Sequence, residues 1–192
     1  FIQSYIYGSF RKSKAQRAFE NASIVLSRDI QTPSPIAYLE HNSGGRLLES
    51  YFVASHYNYD FTLENLIKKE NPLLMQIAPQ FVEFSYRLHE KEILHIDHNA
   101  GNTLIKLDAN EPHFAICDIN RMRFKPLNLN ERLSNFVRLP PHGELFDLIA
   151  GHHARLMNAD EEHCKKLLIE LKNKYERGAK LKENYKKLVG KA

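Results

Sequence analysis

Cysteine is scarce in this chain of 192 residues, which has only Cys117 and Cys164. Two thiols cannot build a disulfide framework, and neither lies in a C-x-x-C pair or a Cys/His cluster with zinc spacing, so a reducing, cytoplasmic setting is the expectation. Long apolar runs are missing too. No stretch approaches the roughly eighteen consecutive apolar residues that a membrane span needs, and the first ten residues lack the basic, apolar and small-residue order of a signal peptide. Repeats and low-complexity segments are absent. Hydrophobic residues at 43% and charged residues at 26% describe an ordinary globular chain, one domain or one domain with an appendage. An excess of one charge sign is absent from most of the chain. The net charge is +4, yet residues 160–192 hold ten Lys/Arg against six Asp/Glu, so residues 1–159 sum to zero. Basicity belongs to the tail, and no nucleic-acid partner is expected.

What is present begins with hydrophobic periodicity. The first thirteen residues have no clear period. Ser13 can then cap a helix in which Ala15, Ala18 or Phe19, Ala22, Val25 and Leu26 share a face, and Thr32-Pro33-Ser34-Pro35 ends the run. Residues 36–40 and 46–54 predict a hairpin around Asn42-Ser43-Gly44-Gly45. Thr62 can cap a short helix through Lys69. After Pro72, the positions Leu73, Ile77, Phe81, Phe84 and Leu88 step by four, four, three and four, the spacing of one buried helical face. Residues 103–107 and 114–117 predict two short strands. Helices are expected over residues 130–139, 143–157 and 161–187.

Chemistry-bearing residues flank the two short strands. His95-Ile96-Asp97-His98-Asn99-Ala100-Gly101-Asn102 contains H-x-D-x-x-x-x-N, and Asp118 follows sixteen residues after Asn102, at the end of an apolar strand. Phosphoryl transfer needs one carboxylate to orient a hydroxyl and take its proton, with oxygen ligands to hold magnesium against nucleotide phosphates. Asp97 suits the first task, and Asn102 and Asp118 suit the second. A short loop lets Asp97 and Asn102 face one cleft, and the following hairpin brings Asp118 back to the same metal. The bland alternative makes Asp97 and Asn102 turn formers and His95 a satisfied core residue.

Gly101 before Asn102, followed by Thr103-Leu104-Ile105, resembles the H-x-D-x-x-x-G-N-[IT]-L form of small-molecule and sugar kinases more than the H-R-D-x-K-P-E-N form of protein kinases. Asp118-Ile119-Asn120-Arg121 stands where protein kinases have D-F-G. With Ser13-Lys14-Ala15-x-Arg17, the Ile30-x-Thr32-Pro33-x-Pro35 turn and Ser50-Tyr51-Phe52-Val53, the chain resembles the lipopolysaccharide core kinase family over roughly residues 1–155. That resemblance implies an α+β, protein-kinase-like fold, with a partial small lobe over residues 1–54 and a mostly helical catalytic lobe over 55–158; beyond it, charge and apolar spacing predict a basic C-terminal helix over 159–192. The resemblance implies ATP and Mg2+ as cofactors, a lipid-linked Kdo or heptose as the sugar acceptor, and a cytoplasmic enzyme. Family members also carry a glycine-rich hairpin and a strand lysine on the α- and β-phosphates. This sequence has neither at its start, so the resemblance places them before Phe1, with Glu20 as the helix partner of that lysine or else a solvated glutamate. Asn99 replaces the catalytic-loop lysine of protein kinases, against a protein substrate. A kinase for another small molecule or a protein, and a non-catalytic pseudokinase that binds a partner, are the rival readings.

Other polar residues carry less. Lys12 and Lys14 read as a basic solvated face, Cys117 as a buried strand residue, and His142, His152 and His153 as helix-surface histidines. Arg121 and Arg123 either face an anionic substrate or brace the loop. In the tail, Cys164, Leu168, Leu171, Tyr175, Gly178, Tyr185 and Leu188 lie near one stripe with lysines elsewhere, the pattern of a basic amphipathic helix. It can pack on the catalytic lobe or make peripheral contact with an anionic membrane.

Overall fold

A computed structural model describes residues 12–109, 111–140 and 143–188. The Ser13 cap forms as expected, its Oγ accepting from Gln16 N at 3.0 Å, and opens helix α1, Lys14–Ser27. Its buried face is Ala15, Ala18, Ala22 and Val25. The helix stops before the prolines, because Asp29 takes a left-handed φ of 57° and Ile30 N–H donates back to Val25 O at 3.2 Å. Strands β1 (Pro35–Ser43) and β2 (Arg46–Ala54) pair antiparallel. Register runs to Ser43 opposite Arg46, with Gly44 and Gly45 both at positive φ as a tight two-residue turn requires. This hairpin packs on α1 and leaves Ile36, Leu39, Leu48 and Tyr51 exposed.

Strand β3 (Phe61–Thr62) leads into α2 (Leu63–Lys68), where Thr62 and Asn65 form a reciprocal capping box. Helix α3, Leu73–Glu90, is the central element. Its buried face is Leu74, Ile77, Ala78, Phe81, Val82, Phe84, Ser85, Leu88 and His89, so the expected stripe holds except that Leu74 replaces the half-buried Leu73. Strand β4 (Ile93–His95) precedes the Asp97 loop and a 3-10 turn at Ala100–Asn102. Strands β5 (Thr103–Asp108) and β6 (Glu111–Ile116) pair antiparallel, with β3 on the other side of β5. The returning chain forms β7 (Met122–Phe124), which pairs with β4 and brings Arg121 and Asp118 to the Asp97 loop.

Beyond lie α4 (Leu129–Ser134), α5 (Gly143–Met157) and α6 (Glu161–Leu188). Helix α4 is shorter than the 130–139 expected. The chain leaves it as tight turns from Asn135, whose amide is drawn inward to His95 O, and Phe136 and Leu139 reach full burial. The tail stripe divides in two: Cys164 and Leu168 are buried against the lobe, whereas Leu181, Tyr185 and Leu188 are exposed. His153 corrects the surface reading of its pair, because it is fully buried on α5 with its ring 5.2 Å from Phe136 and 6.0 Å from Tyr86. Helical spacing puts it in line with Ile149 on the core face of α5, which its residue type concealed. His142 lies outside the described residues. Mixed α+β construction, small sheets at one end and helices at the other, matches the expected class.

The core meets at Phe81, which has no exposure and lies about 6 Å from the rings of His98, Phe114 and Phe136. Phe81→Ala removes a ring that lies beside the loop, β6 and the chain after α4. It should cost about 3–5 kcal/mol, read as a fall in the denaturant midpoint.

Candidate functional site

The loop between β4 and β5 is held by its own backbone. His95 Nδ1 accepts from Asp97 N at 3.1 Å, which leaves Nε2 to donate to Cys117 O at 2.9 Å. The ring is thereby fixed as the neutral Nε2–H form, and burial lowers its pKa. Asn99 Oδ1 accepts from Asn102 N at 3.0 Å and caps the 3-10 turn. Gly101 sits where a Cβ would be tight, 3.2 Å from Asn99 Oδ1 and 3.4 Å from Glu64 Oε2, so a larger residue would press on the Asn99 cap.

Three sequence-singled residues converge. Asn102 Nδ2 donates to Asp97 O at 2.9 Å, and Cys117 N donates to Asn102 O at 3.0 Å, so Asp97, Asn102 and the Cys117–Asp118 peptide form one hydrogen-bonded unit. With Nδ2 committed, Asn102 Oδ1 is the end of the amide left for a cation. Asp118 has φ of 53°, a left-handed conformation that a non-glycine residue adopts at a cost, and its Oδ1 accepts from Asn120 Nδ2. Its other oxygen has no hydrogen-bond partner among the described residues. Asn102 and Asp118 thus offer hard oxygen donors of the kind magnesium takes. Among the described residues no group of three or more His, Cys, Asp or Glu is placed to hold a metal ion.

Asp118 lines a cleft with Lys14, Ala18, Thr32, Ser50, Phe52 and Asn120, between α1, the β1–β2 hairpin and the loop. The cleft is stitched across its back by Asn21 Nδ2, which donates to Ile119 O at 2.7 Å, and by Ile116 N, which donates to Gln31 O at 3.0 Å. Glu20, the neighbour of Asn21, has its carboxylate bound by Lys12 Nζ at 2.7 Å and Gln16 Nε2 at 3.1 Å. Lys14 is on the cleft wall. Cys117 is a half-buried residue just past β6, its thiol pushed up to about 11 by burial and secondarily by the Asp118 charge, so it stays protonated at neutral pH.

Two arginines hold the Asp97 carboxylate: Arg121, which the sequence offered as a loop brace or an anion contact, and Arg138, which sequence reasoning missed. Arg121 Nη1 meets Asp97 Oδ2 at 2.8 Å, and Arg138 Nη1 meets Oδ1 at 2.9 Å. Asn135, also missed, donates from Nδ2 to His95 O at 2.7 Å and accepts on Oδ1 from His89 Nε2 at 3.0 Å. Neither Arg138 nor Asn135 stands in a recognisable spacing; only the fold brings residues 135–138 beneath the loop.

No family model matches the chain, and no curated protein matches it. Among solved structures, WaaP in complex with acyl carrier protein is similar in fold, with a TM-score of 0.62 over 85% of this chain and 76% of that one, at 15% sequence identity. The chain therefore has a WaaP-like fold. Among the described residues, no helix is long and apolar enough to cross a membrane.

Beneath the loop the buried imidazoles of His89, His98 and His153 surround Phe136. Burial is the largest cause lowering His89 to about 4 and His153 to about 3. Their folded pKa values lie below the unfolded value, so the unfolded state binds more protons as pH falls from about 6.5 toward 4, and stability drops through that window. We expect the free energy of unfolding to fall from pH 7 to 5, by on the order of 1–2 kcal/mol per histidine at pH 5, read as a drop in melting temperature, and His153→Leu to flatten the slope.

Proposed function

We propose that this protein is an ATP-dependent phosphotransferase that acts on a sugar hydroxyl, with the lipopolysaccharide inner core, Kdo or heptose, as the acceptor. The observation that carries the reading is the hydrogen-bonded unit of Asp97, Asn102 and the Cys117–Asp118 peptide, of which Cys117 and Asp118 line the cleft while Asp97 and Asn102 lie behind them. The WaaP-like fold supports it, as does the resemblance of the 95–105 segment to sugar kinases.

In this reading Asp97 orients the acceptor hydroxyl and takes its proton as the hydroxyl oxygen bonds the γ-phosphorus and the bond to the β-phosphate oxygen breaks. Asn102 and Asp118 would hold magnesium, which when bound neutralises phosphate charge. Lys14, on the cleft wall, would add positive charge where phosphates lie, and Glu20, bound here by Lys12 and Gln16, would have to exchange those contacts to partner a phosphate-binding lysine. His95 contributes no proton. It fixes the loop, because both of its ring nitrogens are committed within the backbone.

The distal half of α6 supports the further reading that the protein rests on an anionic membrane, where a lipid-linked sugar would be met. Leu181, Tyr185 and Leu188 are exposed, and residues 176–188 carry five Lys/Arg against two Glu. Charge and apolar area are the two contributions to interfacial binding.

Two experiments test these readings. In the full-length protein, Asp97→Asn should lower phosphoryl transfer by at least a hundredfold with magnesium-nucleotide affinity nearly unchanged, while Asp118→Ala should abolish magnesium-dependent nucleotide binding in calorimetry. Near-wild-type turnover in Asp97→Asn would remove the base, and nucleotide binding without turnover in the wild type would favour the pseudokinase. For the membrane, co-sedimentation with anionic vesicles should fall at least tenfold in Leu181→Ser/Tyr185→Ser, with an unchanged melt. Equal sedimentation of both proteins would leave α6 as a packing element only.

A further inference from the structure

The carboxylate of Asp97 is only 19% exposed, and both of its oxygens meet a guanidinium from a different part of the chain. Two arginines on one carboxylate leave a surplus positive charge beside the group that handles the acceptor. A guanidinium carries five N–H donors, and each of these arginines gives Asp97 one contact through Nη1, so donors remain on both sides of the carboxylate. Among the described residues Asp97 is the only acidic partner of either arginine.

Both arginines are mounted on fixed backbone. Arg121 O accepts from Ile96 N at 3.0 Å within the β4–β7 pairing. Arg138 is flanked by Val137 O and Leu139 O, which accept from Lys172 Nζ at 2.9 and 2.7 Å, and its guanidinium lies 5.4 Å from the Tyr175 ring centroid. Positive charge continues away from the loop: Arg138 shares a surface groove with Lys174, Tyr175 and Lys182, and neither lysine has an ion pair among the described residues. Bracing one aspartate needs one arginine. Two arginines on fixed backbone, Arg138 packed on Tyr175 and Arg121 with its side chain 54% exposed, have spare donors and a basic groove beyond, and make a fork suited to an oxyanion.

The geometry points to Arg121 and Arg138 as the receptor for an anionic group, carboxylate or phosphate, carried by the acceptor close to the hydroxyl that Asp97 orients. An oxyanion bridging the two guanidinium groups puts the neighbouring hydroxyl against Asp97. The pair would select acid sugars or sugar phosphates over neutral ones. This inference deepens the phosphotransferase reading and rests on it for the role of Asp97 alone.

The test has a binding arm and a turnover arm, both with the full-length protein. Calorimetry with glucuronate, glucose 1-phosphate and glucose, in saturating Mg-ADP to block the nucleotide cleft, should give at least tenfold tighter binding of an anionic sugar than of glucose. Whichever anion binds identifies the group read. Arg121→Gln and Arg138→Gln should each weaken that binding at least tenfold, and Arg138→Lys should restore part of it. With ATP and the bound anion as acceptor, each Gln variant should raise KM by a larger factor than it lowers kcat. Anion binding no tighter than glucose, or unchanged in both Gln variants, would overturn the receptor. So would equal loss of kcat toward charged and neutral acceptors, which would leave the arginines as braces of Asp97. Arginine-dependent binding without any transfer would keep the receptor and overturn the phosphotransferase reading instead.

Discussion

A single buried amide joins the pieces of chain from which the candidate site is made. Asn135 donates to the carbonyl of His95, at the end of β4, and accepts from His89, near the end of α3. Both contacts are shielded from water, and leaving any of these groups unpaired would cost about 1–3 kcal/mol. The amide sets the height of the loop over the core, and because it lies three residues before Arg138 it also decides that Arg138 arrives beside Asp97. The short α4 follows from the same bond, since a helix continued past Ser134 would carry Asn135 away from His95.

Below that amide the core is built from rings: Phe81, Phe114, Phe136 and four imidazoles. Neutral histidine fills space as an aromatic does while still offering a polar edge. Three of them, His89, His95 and His98, are spaced along the chain from α3 into the loop, so this core doubles as the loop's foundation. Aliphatic residues could fill the same volume but could not bond Asn135 or the carbonyl of Cys117.

Much of this was legible in the sequence for a simple reason. The residues of the Asp97 loop lie within eight positions, and their mutual bonds are local: Asn99 to Asn102, Asn102 to Asp97, Asp97 to His95. The α1 cap, the Gly44-Gly45 turn and the α3 stripe are local as well, and the observed elements follow them closely. What could not be read were partners distant in the chain. Arg138 reaches Asp97 across forty-one positions, and Asn135 reaches His89 across forty-six; neither leaves a periodic trace. His153 was misread because histidine is equally at home on a surface, and only its alignment with Ile149 on α5 pointed inward. The division of α6 was hidden because its apolar stripe runs unbroken past Tyr175, although the lobe beneath it does not.

That division gives α6 two mechanical identities. Up to Tyr175 it is a strut: Lys172 grips the carbonyls on either side of Arg138, and Tyr175 lies over the guanidinium. Past Gly178 it is a cantilever, with Leu181, Tyr185 and Leu188 facing solvent. A cantilever rooted in a strut is a lever, so a load applied near Leu188 bears on Tyr175, thirteen residues back, and on the segment that seats Arg138 against the Asp97 carboxylate. Shortening the chain just beyond Glu176 would therefore remove the lever arm and spare its fulcrum, the contacts of Lys172 and Tyr175 with residues 137–139.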